Sequence, residues 1–285
     1  MTSFNATFRI CLSHDVDRVH KTFQYVTHFL KALKHGDGKA AAIQIGSLLQ
    51  KDHYWNFEKI MTIEKRFGLK STFFFLNETY AFRPWKRSSW RFALGYYSLF
   101  NPRVMDIMRT LDSLGWEIGL HGSFRSFNNA DLLKREKADI ENILGHSVCG
   151  IRQHYLNLSE ETWRLQSDAG FTYDSSFGFT KDIGFKDNRS QPFQPFPGRR
   201  FCEIPLAIMD SCLMRKSDPS SAALKMLDFA QKESACLVLN WHTREFNPLE
   251  FPGYAAMYEF LIEEGLKRKA QFIVLRDLAR MFLQS

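Results

Sequence analysis

Seven polar residues of this chain stand where short apolar runs end. They are Asp15 and Asp17 in Ser13-His14-Asp15-Val16-Asp17, His121 after Gly119-Leu120, Arg152 and His154 in Arg152-Gln153-His154-Tyr155, Asp174 before Ser175-Ser176, and His242 after Asn240-Trp241. Carboxylates and imidazoles bind divalent cations and move protons, and a guanidinium holds a carboxylate by a forked hydrogen bond. Asp15 and Asp17 are two apart, so on a continuing strand both face the same way. Two like charges on one face need a cation or an arginine between them, or a shared proton. One division of labour puts a metal on Asp17 and makes Asp15 a base. The competing reading for Asp17 is a helix cap.

Each of the others also has a structural alternative. His121 is a metal ligand or a half-buried loop histidine. Arg152 orients a carboxylate or belongs to a structural ion pair. His242 donates a proton near neutral pH or is a core histidine. Asp174 steers His242 or shapes the Asp-Ser-Ser turn. Their coincidence at five strand ends favours a site.

The elements that must position these residues follow from periodicity. Strands are expected at Phe8–Ser13, Ser71–Leu76, Trp116–His121, Gly150–Arg152, Phe171–Asp174, Glu203–Met209, Ala235–Trp241 and Phe272–Leu275. Between them lie helical patterns. The first carries Val19, Phe23, Val26, Leu30 and Leu33 on one stripe and is broken by Gly36-Asp37-Gly38; a second reaches about Gln50 and a third covers Asn56–Phe67. Further helices are expected from Asn101-Pro102, over Ala130–Leu144 with Gly145 as its stop, from Ser159, over Ser220–Gln231 and over Gly253–Lys267. Strand–helix alternation implies a mostly parallel sheet with crossover helices. Seven or eight such units favour an α/β fold closed or nearly closed into a barrel, with working residues at the strand carboxyl ends. The chain reads as one domain over 1–285, with an aromatic and basic insertion at about 81–100.

Composition narrows the function. Of 285 residues, 45% are hydrophobic and 24% charged, which fits a packed core. No apolar run approaches the roughly 18 residues of a membrane span, and no secretory signal is visible. Cys11, Cys149, Cys202, Cys212 and Cys236 are scattered with no C-x-x-C pair, which points to reduced thiols and a cytoplasmic location. A net charge of +7 with no recognition motif gives no ground for a nucleic-acid partner. No G-x-G-x-x-G follows the first strand, which disfavours a dinucleotide-binding enzyme.

In order and approximate spacing these segments resemble the polysaccharide deacetylase family (NodB-homology, carbohydrate esterase family 4 type), over roughly residues 8–245. Asp15 and Asp17 stand for the early paired aspartates, here as D-x-D. His121 stands for the first histidine of the next motif, with Arg125 at the position of its second. Arg152-Gln153-His154-Tyr155, Asp174-Ser175-Ser176-Phe177 and Asn240-Trp241-His242 follow. The nearest likeness is to a branch with Ser-His-Asp-x-Asp and Arg-Gln-His-Tyr motifs, associated with surface polysaccharide synthesis.

The resemblance implies a distorted barrel of about seven β/α units and a metal-dependent hydrolase that removes N-acetyl groups from a sugar. It implies a divalent metal, zinc first, on Asp17 and His121. His154, two residues after Arg152, is expected as the third ligand in place of the missing histidine; the alternative is that Arg125 replaces that ligand and the site no longer binds zinc. Asp15 is expected to act as base, held by Arg152, and His242 as acid, steered by Asp174. Tyr155, Trp241 and Arg125 are read as substrate-binding, together with Trp85 and Trp90 of the insertion, whose aromatic faces suit sugar rings and whose cationic neighbours suit a nucleotide- or lipid-linked diphosphate. The rival readings are a catalytically inactive carbohydrate-binding member of the fold and an amidohydrolase of small non-sugar C–N bonds.

Overall fold

The structure is a computed structural model and describes residues 8–48, 53–80, 83–86 and 95–284. Its centre is a curled parallel sheet. The strands are β1 (Arg9–Val16), β2 (Thr72–Leu76), β3 (Glu117–Gly122), β4 (Gly150–Gln153), β5 (Tyr173–Asp174), β6 (Cys202–Glu203), β7 (Leu206–Met209) and β8 (Cys236–Asn240), in the order β6-β5-β4-β3-β2-β1-β8-β7. A short β9 (Gln271–Phe272) also pairs with β1.

Strand parity sorts the side chains. Ile10 and Leu12 of β1, Phe73 and Phe75 of β2, Ile118 and Leu120 of β3, Ile151 of β4, and Leu237 and Leu239 of β8 join the core shared with the helices. The alternate positions Cys11, Phe74, Cys236 and Val238 pack in a second cluster inside the curl. Continuing that parity puts Ser13 and Asp15, His121, Arg152 and Asn240 on the inner face, at the carboxyl ends of β1, β3, β4 and β8.

Helices on the connections between strands are α1 (Gln24–Lys34), α2 (Gly38–Ser47), α3 (Phe57–Arg66), α4 (Pro102–Ser113), α5 (Ala130–Leu144), α6 (Thr162–Asp168), α7 (Asp210–Leu213), α8 (Pro219–Lys232) and α9 (Tyr254–Lys267), and α10 (Leu275–Gln284) follows the last strand. Their ends follow local chemistry. The Asn101 side chain accepts from Arg103 N ahead of Pro102, and Asn129 accepts from Leu132 N. Gly145 closes α5 in the left-handed region at φ 79°. On α10, Leu275, Leu278 and Ala279 join the cluster inside the curl. The N–H of Arg276 donates to the buried Glu117, which also accepts from Thr72 and Tyr173.

Two expectations change. The segment read as one strand over Glu203–Met209 is two: β6 pairs with β5 and β7 with β8, at opposite ends of the strand order. Pro205 between them has no N–H to give a ladder, and the break lets the chain bridge the two edges and curl the sheet. The stripe expected on the first helix also fails. Val19 lies in the core before α1 begins, whereas Val26, Leu30 and Leu33 face outward. Of the insertion, Tyr97 is buried and its hydroxyl donates to Val16 O and accepts from Leu76 N, which ties the returning chain to the ends of β1 and β2.

Candidate active site

The inner-face polar residues converge. Asp15 accepts from Arg152 Nη1 at 2.9 Å on Oδ1 and from Asn240 Nδ2 at 2.6 Å on Oδ2. Arg152 is fully buried and every arm is engaged: Nη1 also donates to Ser13 Oγ, Nε to Ser175 O, and Nη2 to Ser175 Oγ. Its guanidinium stacks on Phe74, 4.5 Å from the ring centre. Burial works against charge on Asp15, but His121, Arg152 and His242 outweigh it and hold its pKa below the ordinary value. Asp15 is thus ionised, rigid and held by one charged and one neutral donor.

Asp17 follows β1 on the same side. Arg244 Nη1 donates to its Oδ2 at 2.7 Å. Among the described residues its Oδ1 is buried with no hydrogen-bond partner; it lies 3.3 Å from His121 Nε2 and 3.7 Å from His154 Nε2. Asp17, His121 and His154 each offer one atom to a common point, all within 4.8 Å of one another. His121 Nδ1 donates to Arg152 O at 2.8 Å, which fixes the ring and points Nε2 at Asp17; burial works against charge on it, but Asp15 and Asp17 outweigh that and hold its pKa above the ordinary value. Burial, against the pull of Asp17, pushes the His154 pKa down to about 3, so that imidazole is neutral. One carboxylate and two imidazole nitrogens with an open side are the donor set of a catalytic zinc site. The orphaned, buried Oδ1 is the atom that most needs a cation. The residues fit a divalent metal.

Beside this cluster stands His242, its Nε2 3.5 Å from Asp17 Oδ2. Its Nδ1 pairs with Asp210 Oδ2 at 2.8 Å. Burial alone would lower its pKa; Asp210 overrides this and pushes it up to about 10, while Asp210 itself is held down to about 2. Asp174 does not steer His242. It lies on β5, separated from β8 by β4, β3, β2 and β1, and accepts from Ser176 Oγ at 2.6 Å. Asp210 follows β7, the neighbour of β8, and takes the place expected of Asp174.

Trp241 is corrected too. Its ring is buried among Tyr254 and Tyr258, facing away from the inner surface as its strand parity requires. Arg125 is exposed and stacks on Tyr80, outside the ligand cluster. Tyr155 does reach the cleft, in a left-handed conformation at φ 61°, a strain of the kind stored at functional sites. Trp85 is exposed, and Trp90 lies outside the described residues.

Asp17, His154, Tyr155 and Arg244 border both lobes of a cleft. One lobe, of 260 Å³, continues past Asp15, His121 and His242 toward Arg215; the other, of 380 Å³, runs past Arg18 and Tyr96 to the start of α1. Asp210 and Arg244 were not anticipated. Asp210 directly follows an apolar run, so the strand-end rule applied to that segment points to it. Arg244 lies in a turn after His242 and has no such signal.

No family model and no curated protein matches the chain. Solved structures do. A Mycobacterium smegmatis protein assigned to the polysaccharide deacetylases aligns with a TM-score of 0.61 at 16% identity, over 99% of this chain and 92% of its own. A Pseudomonas aeruginosa PAO1 protein assigned likewise gives 0.61 at 13%, over 98% and 92%. Puue allantoinase gives 0.62 at 15%, over 99% and 92%. The chain has the curled β/α barrel fold of the polysaccharide deacetylases, the NodB-type fold its motifs resemble.

Proposed function

We propose that this chain is a divalent-metal-dependent hydrolase that removes an N-acetyl group from a sugar, a precursor of surface polysaccharide carried on a nucleotide or lipid diphosphate in the cytoplasm. The observation that carries the reading is the buried, unpartnered Asp17 Oδ1 facing two imidazole Nε2 atoms, with Asp15 on one side and His242 on the other. Asp17, His121 and His154 would hold the metal. When bound, it supplies Lewis acidity to the amide carbonyl and acidifies water.

The chain's own groups supply the proton movements. Asp15 accepts the proton of the attacking water, and its bonds to Arg152 and Asn240 keep it ionised and aimed. His242 carries its proton on Nε2 toward the cleft, because Nδ1 is committed to Asp210, and delivers it to the departing amine. The products are acetate and an amino sugar. Arg244 neutralises Asp17 Oδ2 and leaves Oδ1 for the cation, an arrangement compatible with ligation by one oxygen.

Two cleft lobes meeting at Asp17 give room for a pyranose on one side and a carrier on the other, which supports a sugar over a small amide. Arg18 and Arg215 along the cleft suit an anionic carrier. Free thiols at all five cysteines are in keeping with a reducing compartment. The test is acetate release from N-acetylhexosamines linked to nucleotide or lipid diphosphates, by zinc-loaded and chelator-treated protein. Release that the chelator stops and zinc restores supports the reading. Silence of the zinc-loaded protein on every such substrate ends it.

A further inference from the structure

The hairpin formed by α1 and α2 is built inside out. Its buried residues are Gln24 and Ala32 on α1 and Ala41, Gln44 and Ser47 on α2, so apart from two alanines its inner face is polar. Lys21 Nζ, also buried, donates to Gln44 Oε1 at 2.6 Å, to Ser47 Oγ at 3.0 Å and to Glu250. The large apolar residues go the other way. Val26, Leu30 and Leu33, spaced four and three along α1, and Ile45 and Leu48 at the end of the hairpin are 53% to 61% exposed. An apolar stripe left facing solvent gains nothing from water.

The charges beside this face are mostly of one sign. Lys31, Lys34 and Lys39 are exposed. Asp37 is the sole acidic residue between 24 and 48, and its carboxylate is used to cap α2 at Ala40 N. Aliphatic side chains flanked by lysines match an interface that is apolar within and anionic at its edge. Phe23, Gln24, Thr27 and His28, at the start of α1, also wall one lobe of the cleft.

We propose that the α1–α2 hairpin is a membrane-docking face, which seats Val26, Leu30, Leu33, Ile45 and Leu48 in the surface of a bilayer containing anionic phospholipid and brings the cleft mouth to the leaflet. The docking stands apart from the hydrolase reading; its use in meeting a lipid-linked substrate rests on that reading.

The experiment is co-sedimentation of the full chain with vesicles of phosphatidylcholine mixed with phosphatidylglycerol, and with phosphatidylcholine alone. Binding is expected to be at least about tenfold stronger to the anionic vesicles and to weaken with salt. The double variant Leu30→Glu/Leu33→Glu, changed only at exposed positions, should lose binding by about tenfold or more at unchanged thermal midpoint, and Lys31→Glu/Lys34→Glu should lose the preference for anionic lipid. No association of the wild-type chain with anionic vesicles overturns the proposal, as does association that both double variants leave intact. A dimer in the absence of lipid, broken by Leu30→Glu/Leu33→Glu in a chain that ignores vesicles, assigns the face to a second copy and also overturns it. No step of the assay requires catalysis, so failure here leaves the deacetylase reading untouched, and an inactive enzyme leaves this result intact.

Discussion

His242 and Asp210 meet twice: the imidazole Nδ1 pairs with Asp210 Oδ2 at 2.8 Å, and the His242 backbone N–H donates to the same oxygen. The contact fixes both the ring and the chain that carries it. It also commits Nδ1, so a proton lost to substrate must leave from Nε2.

Asp210→Asn removes the charge that overrides burial at His242. The His242 pKa then falls from about 10 toward and below its ordinary range. Activity that needs protonated His242 declines as pH rises through that pKa, so the alkaline limb of kcat/KM should move to lower pH. The loss at neutral pH should be about 10²–10⁴-fold. A pH–rate profile of the variant decides the matter: an unmoved alkaline limb removes Asp210 from the role given to it.

Asp15 is held by Arg152 and Asn240 but belongs to no ligand cluster among the described residues. Asp15→Asn should therefore cut turnover by about 10²–10⁴-fold while zinc content stays at the wild-type level. The measurement pairs acetate release with metal analysis on one preparation. Full activity in the variant would place the base elsewhere; joint loss of metal and activity would make Asp15 a ligand.

His154 and Arg125 separate two explanations for the missing motif histidine. With His154 as third ligand, His154→Ala should weaken zinc binding by more than about tenfold. Arg125→Ala should leave it unchanged, because Arg125 stacks on Tyr80 outside the cluster. Anomalous diffraction at the zinc edge gives the direct answer. A zinc-loaded crystal without a peak between Asp17, His121 and His154 rules this ligand set out.

Much of this site was legible because strand parity is local. The D-x-D spacing places Asp15 and Asp17 on one face as long as the chain stays extended just past the end of β1. The limits of α5 were likewise readable, from Asn129 and Gly145 at its ends. What was not legible depends on which strands become neighbours. Asp174 and Asp210 both follow apolar runs, and only the pairing of β7 with β8 puts Asp210 beside His242. The division at Pro205 belongs to the same class, since one apolar run serves two sheet edges. The α1 stripe misled for a different reason: periodicity finds the apolar face of a helix but not the medium it meets.

Glu136 shows how burial near the site bears on stability. Its side chain is buried on α5, one oxygen accepting from Ser123 N and the other without a partner among the described residues. Burial pushes its pKa up to about 7 from the ordinary 4.5. The sign follows from proton binding. Between those two values the native chain holds a proton that the unfolded chain has released, so stability is full below about 4.5 and falls as pH rises through about 7. A shift of this size corresponds to on the order of 3 kcal/mol once the loss is complete. Glu136→Gln keeps an acceptor for Ser123 N and has no charge to bury. The variant should unfold at a higher urea midpoint than wild type at pH about 8, with the difference shrinking toward pH about 4. A difference that is the same at both ends of the range would show that Glu136 does not titrate with folding.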